Sequence, residues 1–335
     1  MKRAAVLGAT GLVGRTFVKL LEEHPWFKVE KLVASERSAG KKYGEIVEDS
    51  PEEFRDYYVI SLEEFLENPG VDLVFNALPA SISREVEEKL ARDIPVFTNA
   101  RAHRYDEDVP ILVPEVNKEH LRLIEVQRKR RGWKGFIVTN PNCSTAILTL
   151  SLAPLRDFGI KKVRVATMQA ISGAGFSGLS AYAIQDNVIP FISGEEWKIE
   201  NESRKIMGEL KGDKIELASF DVIAIATRVP VIHGHTEAVF VELENPDVKS
   251  IREAFENFDP LKDLKLPSYE KPIVYTEIPQ PRLHRDRGKG LTVTVGRLER
   301  TSEGIKYVTL GHNLVRGAAG GSVLNAELAY KLGII

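Results

Sequence analysis

Cysteine is nearly absent: the 335 residues contain one, Cys143. No intrachain disulfide can form, and so few thiols fit a reducing interior, so a cytoplasmic protein is expected. The C-x-x-C and H-E-x-x-H spacings of zinc sites are missing, and no acidic cluster stands at ligand spacing, so no metal is expected. No apolar run is long enough to span a bilayer. The stretch "AAVL" after Met1, Lys2 and Arg3 is too short for a secretory signal and runs at once into a glycine turn. Charge of one sign is missing too: 46 Lys and Arg face 48 Asp and Glu, a formal charge of −2. That balance excludes the basic field of a nucleic-acid binder. Repeats and low-complexity tracts are also lacking.

What is there is a globular composition, 43% hydrophobic and 28% charged, on a chain long enough for two packed domains. The first third alternates buried-strand runs ("AAVL", "VEKLVA", "VDLVFNAL", "PVFTNA", "GFIVTN") with helical patterns at Leu12–Glu23 and Ser83–Asp93, which predicts a parallel sheet. In the first helix Val13, Phe17, Leu20 and Leu21 share one face. After a helix at Ser144–Leu155 the texture changes to long strand-like runs with period-two alternation, such as Val293 and Val295 against Thr292 and Thr294. Helices are predicted there at Leu179–Val188, Glu196–Leu210 and Val248–Phe258, and "IPQPRLHRDRGKG" reads as one long loop. A final helix, Val323–Leu332, returns to the first domain. The expected fold is α/β: a parallel-sheet domain over 1–142 plus about 317–335, and an α+β domain with a mixed sheet over 143–316.

"VLGATGLVG" sets Gly8, Gly11 and Gly14 between a strand and a helix, with Thr10, Leu12 and Val13 around the helix start. Glycines there let the backbone approach a pyrophosphate, whose charge sits among unpaired N–H groups at the helix N-terminus. The spacing G-x-x-G-x-x-G departs from the better-known G-x-G-x-x-G, yet its βαβ setting predicts a Rossmann-type dinucleotide site. The second strand ends in "VASERSAGKK", where Ser35, Arg37 and Ser38 suit a 2′-phosphate and so NADP over NAD, with Glu36 the opposing signal.

Pro141 presets a turn and the apolar pattern begins just after Cys143, so the thiol stands at a helix N-terminus. That position favours an anion and is expected to lower the thiol pKa. The same N–H groups, with the Asn142 amide, could hold an oxyanion formed under attack by the sulfur. A nucleophilic cysteine wants a histidine. Of seven, His233 and His235 in "TRVPVIHGHTEAVF" stand at a strand end, and the residues alone leave the pair open. Arg101 and Arg104 follow the strand "PVFTNA" on its carboxyl side, where ligands of parallel sheets bind. Arg228 lies in an apolar strand, costly unless paired or facing an anion. Lys198 has two readings: a site cation, or one half of an i, i+3 surface pair with Glu195.

Eight blocks in order, "GATGLVG", "ASERSAGK", "NARAHRYDEDVPILVPEVN", "TNPNCST", "MQAISGAG", "EEWKIENESRKIM", "RVPVIHGHTE" and "NLVRGAAGGSVLNAE", resemble the archaeal and fungal-like branch of the aspartate-semialdehyde dehydrogenase family. The resemblance runs nearly end to end. It implies reversible NADP-dependent conversion of L-aspartate 4-semialdehyde and inorganic phosphate to L-aspartyl-4-phosphate, through a cysteine thioester, on the route to lysine, threonine and methionine. It implies Cys143 as nucleophile, His235 rather than His233 as base, and Gln169 as the residue that orients substrate. Asn142 falls in the substrate pocket, Arg228 on the substrate carboxylate and Glu195 on its amine. Lys198 and Arg104 fall on phosphate, and Ser172, Gly173 and Asn325 near the nicotinamide. The second domain becomes a catalytic and dimerisation domain, in a homodimer or homotetramer. The block "NARA" departs from the family's "NASA" or "SSA", which makes Arg101 an extra cation beside Arg104.

Two relatives share parts of this pattern, malonyl-CoA reductase and N-acetylglutamyl-phosphate reductase. The first lacks the carboxylate arginine and the N-P-N-C block. A reading from another class is a non-catalytic NADP-sensing protein.

Overall fold

The computed structural model describes Met1 to Ile335. Strands β1 (Lys2–Leu7), β2 (Phe27–Ala34), β3 (Val59–Ser61), β4 (Leu73–Asn76), β5 (Pro95–Thr98) and β6 (Phe136–Thr139) form one sheet. Its order is β3-β2-β1-β4-β5-β6, parallel throughout. Helices α1 (Leu12–Leu21), α2 (Ala80–Ala91) and α3 (Leu123–Arg131) lie in the connections. All residues of β4 and β6 are buried, the reason these segments read as continuous apolar runs rather than alternating ones. The strand order reverses between β1 and β4, and a crevice for ligands opens beyond the carboxyl ends of strands at such a point.

The second sheet starts with β7 (Ile160–Gln169). A small hairpin, β8 (Glu209–Lys211) and β9 (Lys214–Glu216), precedes β10 (Asp221–Arg228), β11 (His235–Leu243), β12 (Ile273–Tyr275), β13 (Val293–Arg300) and β14 (Gly304–Gly311). The order is β10-β7-β11-β14-β13-β12, with parallel pairs at both edges and antiparallel pairs between. Its inner face shares one core with α4 (Cys143–Leu152), α5 (Glu195–Ile206) and α6 (Val248–Asn257), through Ile147, Ile199, Val239 and Phe255 among others. The closing helix α7 (Gly320–Lys331) packs Val323, Leu324 and Leu328 into the first sheet's core beside Phe17 and Phe75, and Glu327 meets His24 Nε2 at 2.9 Å.

Three local expectations need correction. The helix predicted at Leu179–Val188 shrinks to the turn Ala181–Ile184, because Asp186 takes a left-handed φ of 55° that breaks the helix. The helix predicted to reach Leu210 stops at Ile206. Gly212, with φ 65°, supplies the turn that makes Leu210 part of the hairpin instead. The Pro-rich stretch is not one open loop: Pro281 starts a helical turn, Pro281–His284, and a 3-10 turn follows at Arg287–Gly290.

Candidate active site

A cavity of about 470 Å³ opens between the glycine turn, the ends of β5 and β7, and the N-termini of α4 and α5. At its first wall Gly8 has φ 75°, and a Cβ there would lie 2.7 Å from the Ala77 carbonyl oxygen. A Cβ on Gly14 would lie 2.0 Å from the Gly8 oxygen. Both glycines therefore serve the tightness of the turn. Gly11, Leu12 and Val13 line the cavity itself. Gly11 caps α1 with no side chain and the first turn holds no acid, so the helix presents N–H groups and a positive dipole end to that space. This wall fits a dinucleotide pyrophosphate. At the end of β2, Ser35 and Arg37 are exposed and Ser38 closes a turn onto the Ser35 carbonyl at 2.8 Å.

The cysteine helix begins with a tight cap. Asn142 Oδ1 accepts from the Ser144 and Thr145 N–H groups at 3.1 and 3.4 Å, while its Nδ2 donates to Glu195 Oε2 at 2.8 Å. These groups, expected to receive an oxyanion, already have partners. Cys143 is partly open to the cavity, and its Sγ lies 3.0 Å from His235 Nε2. The expected depression of its pKa is not met. Burial pushes the thiol up to about 12 and Glu195 adds to the rise, against the opposing pull of Lys198, Arg228 and the Ser144 N–H. Desolvation of an anion outweighs one helix end.

His235 is fully buried at the start of β11. Its Nδ1 accepts a hydrogen bond from the Ala170 N–H at 3.0 Å, and burial, with Arg228, pulls its pKa down to about 3. His233 points elsewhere: its Nδ1 is 2.9 Å from Ser172 Oγ and its ring stacks on His312 at 5.4 Å. Of the open pair, only His235 touches the sulfur.

Glu195, in the first turn of α5, gathers Asn142 Nδ2, Gln169 Nε2 at 3.3 Å and Lys198 Nζ. Burial alone would raise its pKa, but Lys198 and these hydrogen bonds hold the carboxylate below its ordinary value. Arg228 pairs in register with Gln169 at the sheet's end. It is 6% exposed, has no carboxylate partner and gives one Nη1 hydrogen bond to the Ala170 carbonyl at 2.6 Å. Gly173 leaves room for it, since a Cβ would lie 2.6 Å from Arg228 Nη1 and 3.3 Å from the His235 ring. Lys198, Gln169, Ser172 and Gly173 all line the cavity.

Two expected residues stand differently. Arg104 is buried and spends its charge on Glu202 Oε1 at 2.9 Å and its other Nη on the Asn99 carbonyl, whereas Arg101 lines the same cavity, exposed and without an acidic partner. Asn325 does not reach the cavity. It is 1% exposed on α7 and donates to the Leu112 carbonyl at 3.4 Å, because its helix is swallowed by the first core. Asn313, which the sequence reading passed over, lines the cavity and donates to Ser172 Oγ at 2.9 Å.

Also missed was the rest of the α5 face. Glu202 Oε2 accepts the Asn142 backbone N–H at 2.6 Å, and Oε1 takes Tyr105 Oη as well as Arg104. Lys205 Nζ donates to the carbonyls of Arg104, Asp106 and Val109, each at 2.8 Å. The signal was in "EEWKIENESRKI": Glu195, Lys198, Glu202 and Lys205, at steps of 3, 4 and 3, share one helix face.

A nucleotide-type parallel sheet, joined to a second domain that brings a cysteine and a histidine to the mouth of its glycine turn, defines a dinucleotide-dependent oxidoreductase. Residues 3–124 match the family described as semialdehyde dehydrogenase, NAD binding domain, and residues 152–316 the semialdehyde dehydrogenase, dimerisation domain. The aspartate-semialdehyde dehydrogenase of Archaeoglobus fulgidus is 54% identical, over 98% of both chains. A protein named malonyl CoA reductase (NADP) from Metallosphaera sedula is 41% identical over 99% of this chain and 98% of its own. The structure of the Candida albicans aspartate semialdehyde dehydrogenase with NADP matches with a TM-score of 0.89 at 37% identity, covering 100% of each chain. The chain belongs to the aspartate-semialdehyde dehydrogenase family.

Proposed function

We propose that this enzyme interconverts L-aspartate 4-semialdehyde plus inorganic phosphate and L-aspartyl-4-phosphate, with NADP, through a thioester on Cys143. The observation that carries the reading is the 3.0 Å approach of Cys143 Sγ to His235 Nε2 at a cavity shared with the glycine turn. When bound, nicotinamide supplies the hydride acceptor. NADP is favoured by Ser35, Arg37 and Ser38 at the end of β2, and the Candida albicans relative was solved with it.

The chain's own residues divide the remaining work. Arg228, a buried cation without an acidic partner, suits the substrate carboxylate. Glu195, ionised, suits the amine, and Gln169 beside it orients the carbonyl. Lys198 suits the phosphate that displaces the thiolate from the acyl carbon, with Arg101 unpaired on the same cavity wall and Arg104, whose charge is shared with Glu202, as the further cation the family resemblance assigns. The two-step path replaces one hard displacement by two easier ones, and holding the reactants side by side supplies much of the rate. The same reading takes 1–142 with about 317–335 as the nucleotide-binding unit and 143–316 as the catalytic unit, in a homodimer or homotetramer formed through the second sheet. It puts the protein on the biosynthetic route to lysine, threonine and methionine. A thiol that must stay reduced suits the cytoplasm.

The test is turnover of the purified protein with NADP and aspartate semialdehyde, with and without phosphate, beside NADPH and malonyl-CoA. Phosphate-dependent reduction of NADP is expected. Turnover with malonyl-CoA alone would shift the reading to that of the Metallosphaera sedula relative, and NADP binding without any turnover would make the protein a sensor.

A further inference from the structure

We infer that Arg101 supplies the second positive charge for inorganic phosphate, so that Lys198 and Arg101 together set the phosphate affinity of this chain while Arg104 contributes hydrogen bonds. The inference rests on the phosphate-dependent reading above and deepens it. Its ground is the balance of charge on one cavity wall. The cations that line the cavity are Arg101, Arg104 and Lys198, and the acid is Glu195. Arg104 brings its own counter-ion: it is 6% exposed, its Nη1 lies 2.9 Å from Glu202 Oε1 and its Nη2 donates to the Asn99 carbonyl at 2.9 Å. Lys198 Nζ donates to Glu195 Oε1. Arg101 is exposed, with no carboxylate partner and no hydrogen bond on its guanidinium, so its whole charge and its fork of N–H groups stay open to the cavity. Both arginines belong to one turn after β5, in which the Arg104 N–H reaches the Arg101 carbonyl at 3.3 Å.

Substrate redistributes these charges. With the substrate amine on Glu195 and its carboxylate on Arg228, Lys198 is released from its acid and has a single charge to offer. A phosphate group carries about −1.5 to −2 near neutral pH. Lys198 alone leaves that charge undercompensated, and Arg104 with Glu202 adds no net charge. The neutral donors of the wall do not close the gap. The Asn99 amide, with no partner on either atom, offers hydrogen bonds only. The N-terminus of α4 gives about half a charge, and it lies at the sulfur, where the carbonyl reacts. Arg101 closes the gap, with the planar fork that matches two phosphate oxygens. A cation at an open cavity wall also raises the local concentration of an anion that has to enter after the thioester has formed. The cofactor's own pyrophosphate has the N–H groups of the glycine turn. Serine, which stands at this place in the family's "NASA" pattern, has no charge to give, so the device belongs to the "NARA" block of this chain.

The test is Arg101→Ser, with Arg101→Lys beside it. The side chain is exposed, so both variants should fold. With NADP and aspartate semialdehyde saturating, the KM for inorganic phosphate should rise about tenfold in Arg101→Ser, the scale of one charge-assisted hydrogen bond, and recover to within about threefold of wild type in Arg101→Lys. The turnover at saturating phosphate should fall far less, and the KM for NADP should hold. A rise in the KM for NADP in place of that for phosphate would assign Arg101 to the pyrophosphate, and an unmoved phosphate KM would leave the charge to Arg104. Either result overturns the inference. A second arm needs no turnover. Inorganic phosphate titrated calorimetrically into the NADP complex should bind Arg101→Ser about tenfold more weakly than wild type, with the difference shrinking as salt is raised from about 0.05 M to about 0.5 M. Equal affinity in the two proteins overturns the inference. A wrong substrate assignment shows instead as a wild type inactive on aspartate semialdehyde, while the calorimetric arm still judges the phosphate site.

Discussion

At Cys143 a helix N-terminus and two cations favour the thiolate, and burial with the neighbouring Glu195 favours the thiol. Burial wins in the unliganded protein, where the thiol sits near 12. Below that value the thiolate fraction climbs about tenfold per pH unit, and only the thiolate is alkylated. Carbamidomethylation of Cys143 by iodoacetamide, followed by mass spectrometry, is therefore expected to accelerate about tenfold per unit from about pH 7 to pH 9. A plateau inside that range would show a sulfur ionised by its surroundings. Glu195→Gln removes the nearest anion, so alkylation at a fixed pH should become faster even as semialdehyde turnover falls. Cys143→Ser should lower turnover at least about 10³-fold, since nucleophile and partner act as one unit, and leave NADPH binding by fluorescence unchanged.

Among the elements, α5 carries the most. Its face supplies Glu195 and Lys198 to the cavity and uses Glu202 and Lys205 to tie down the segment that holds Arg104 and the cap of the cysteine helix. Glu202→Ala strands the buried Arg104 guanidinium, and removing one partner of a buried pair costs about 3–5 kcal/mol. Urea unfolding should report a loss of that order. Strand β11 holds a different device. Glu237 is fully buried with no hydrogen-bond partner, and burial raises its pKa well above 4.5. A carboxyl raised in the folded state stabilises the fold only while protonated. That contribution is present below the ordinary carboxylate value and is lost as pH rises, by up to about 1.4 kcal/mol per unit. Glu237→Gln should therefore stabilise the protein more at pH ~7 than at pH ~5, which denaturant midpoints at the two values would check.

For the whole molecule, the proposed homo-oligomer can be tested on the open face of the second sheet. Ile223, Ile225 and Phe240 are 50%, 56% and 45% exposed on it, in register with Arg164 and Ala166 of β7 between them, and exposed apolar side chains gathered on one face mark a surface suited to a partner subunit. Paired glutamates at Ile225 and Phe240 are expected to halve the mass found by light scattering, while each subunit keeps its fold. An unchanged mass would move the interface elsewhere.

Sequence alone determined whatever depends on neighbours along the chain. The glycine turn between β1 and α1 and Asn142 as the cap before Cys143 are short-range consequences of backbone sterics and hydrogen bonding, whereas β10 is apolar on both faces from Val222 to Ala226 and only packing turns Ile223 and Ile225 outward. Tertiary structure decided what depends on burial and on partners far apart in the chain. His235 meets a sulfur 92 positions away, and Gly234, with φ 97°, turns His233 toward Ser172 instead. Arg104 is claimed by Glu202, 98 positions on, while Arg101 stays free. Asn325 vanished into a core that its own helix completes. The ionisation of Cys143 is of the same kind, for a thiol's pKa is set by the water it has lost and the charges folded around it, and neither can be read from the residues on either side.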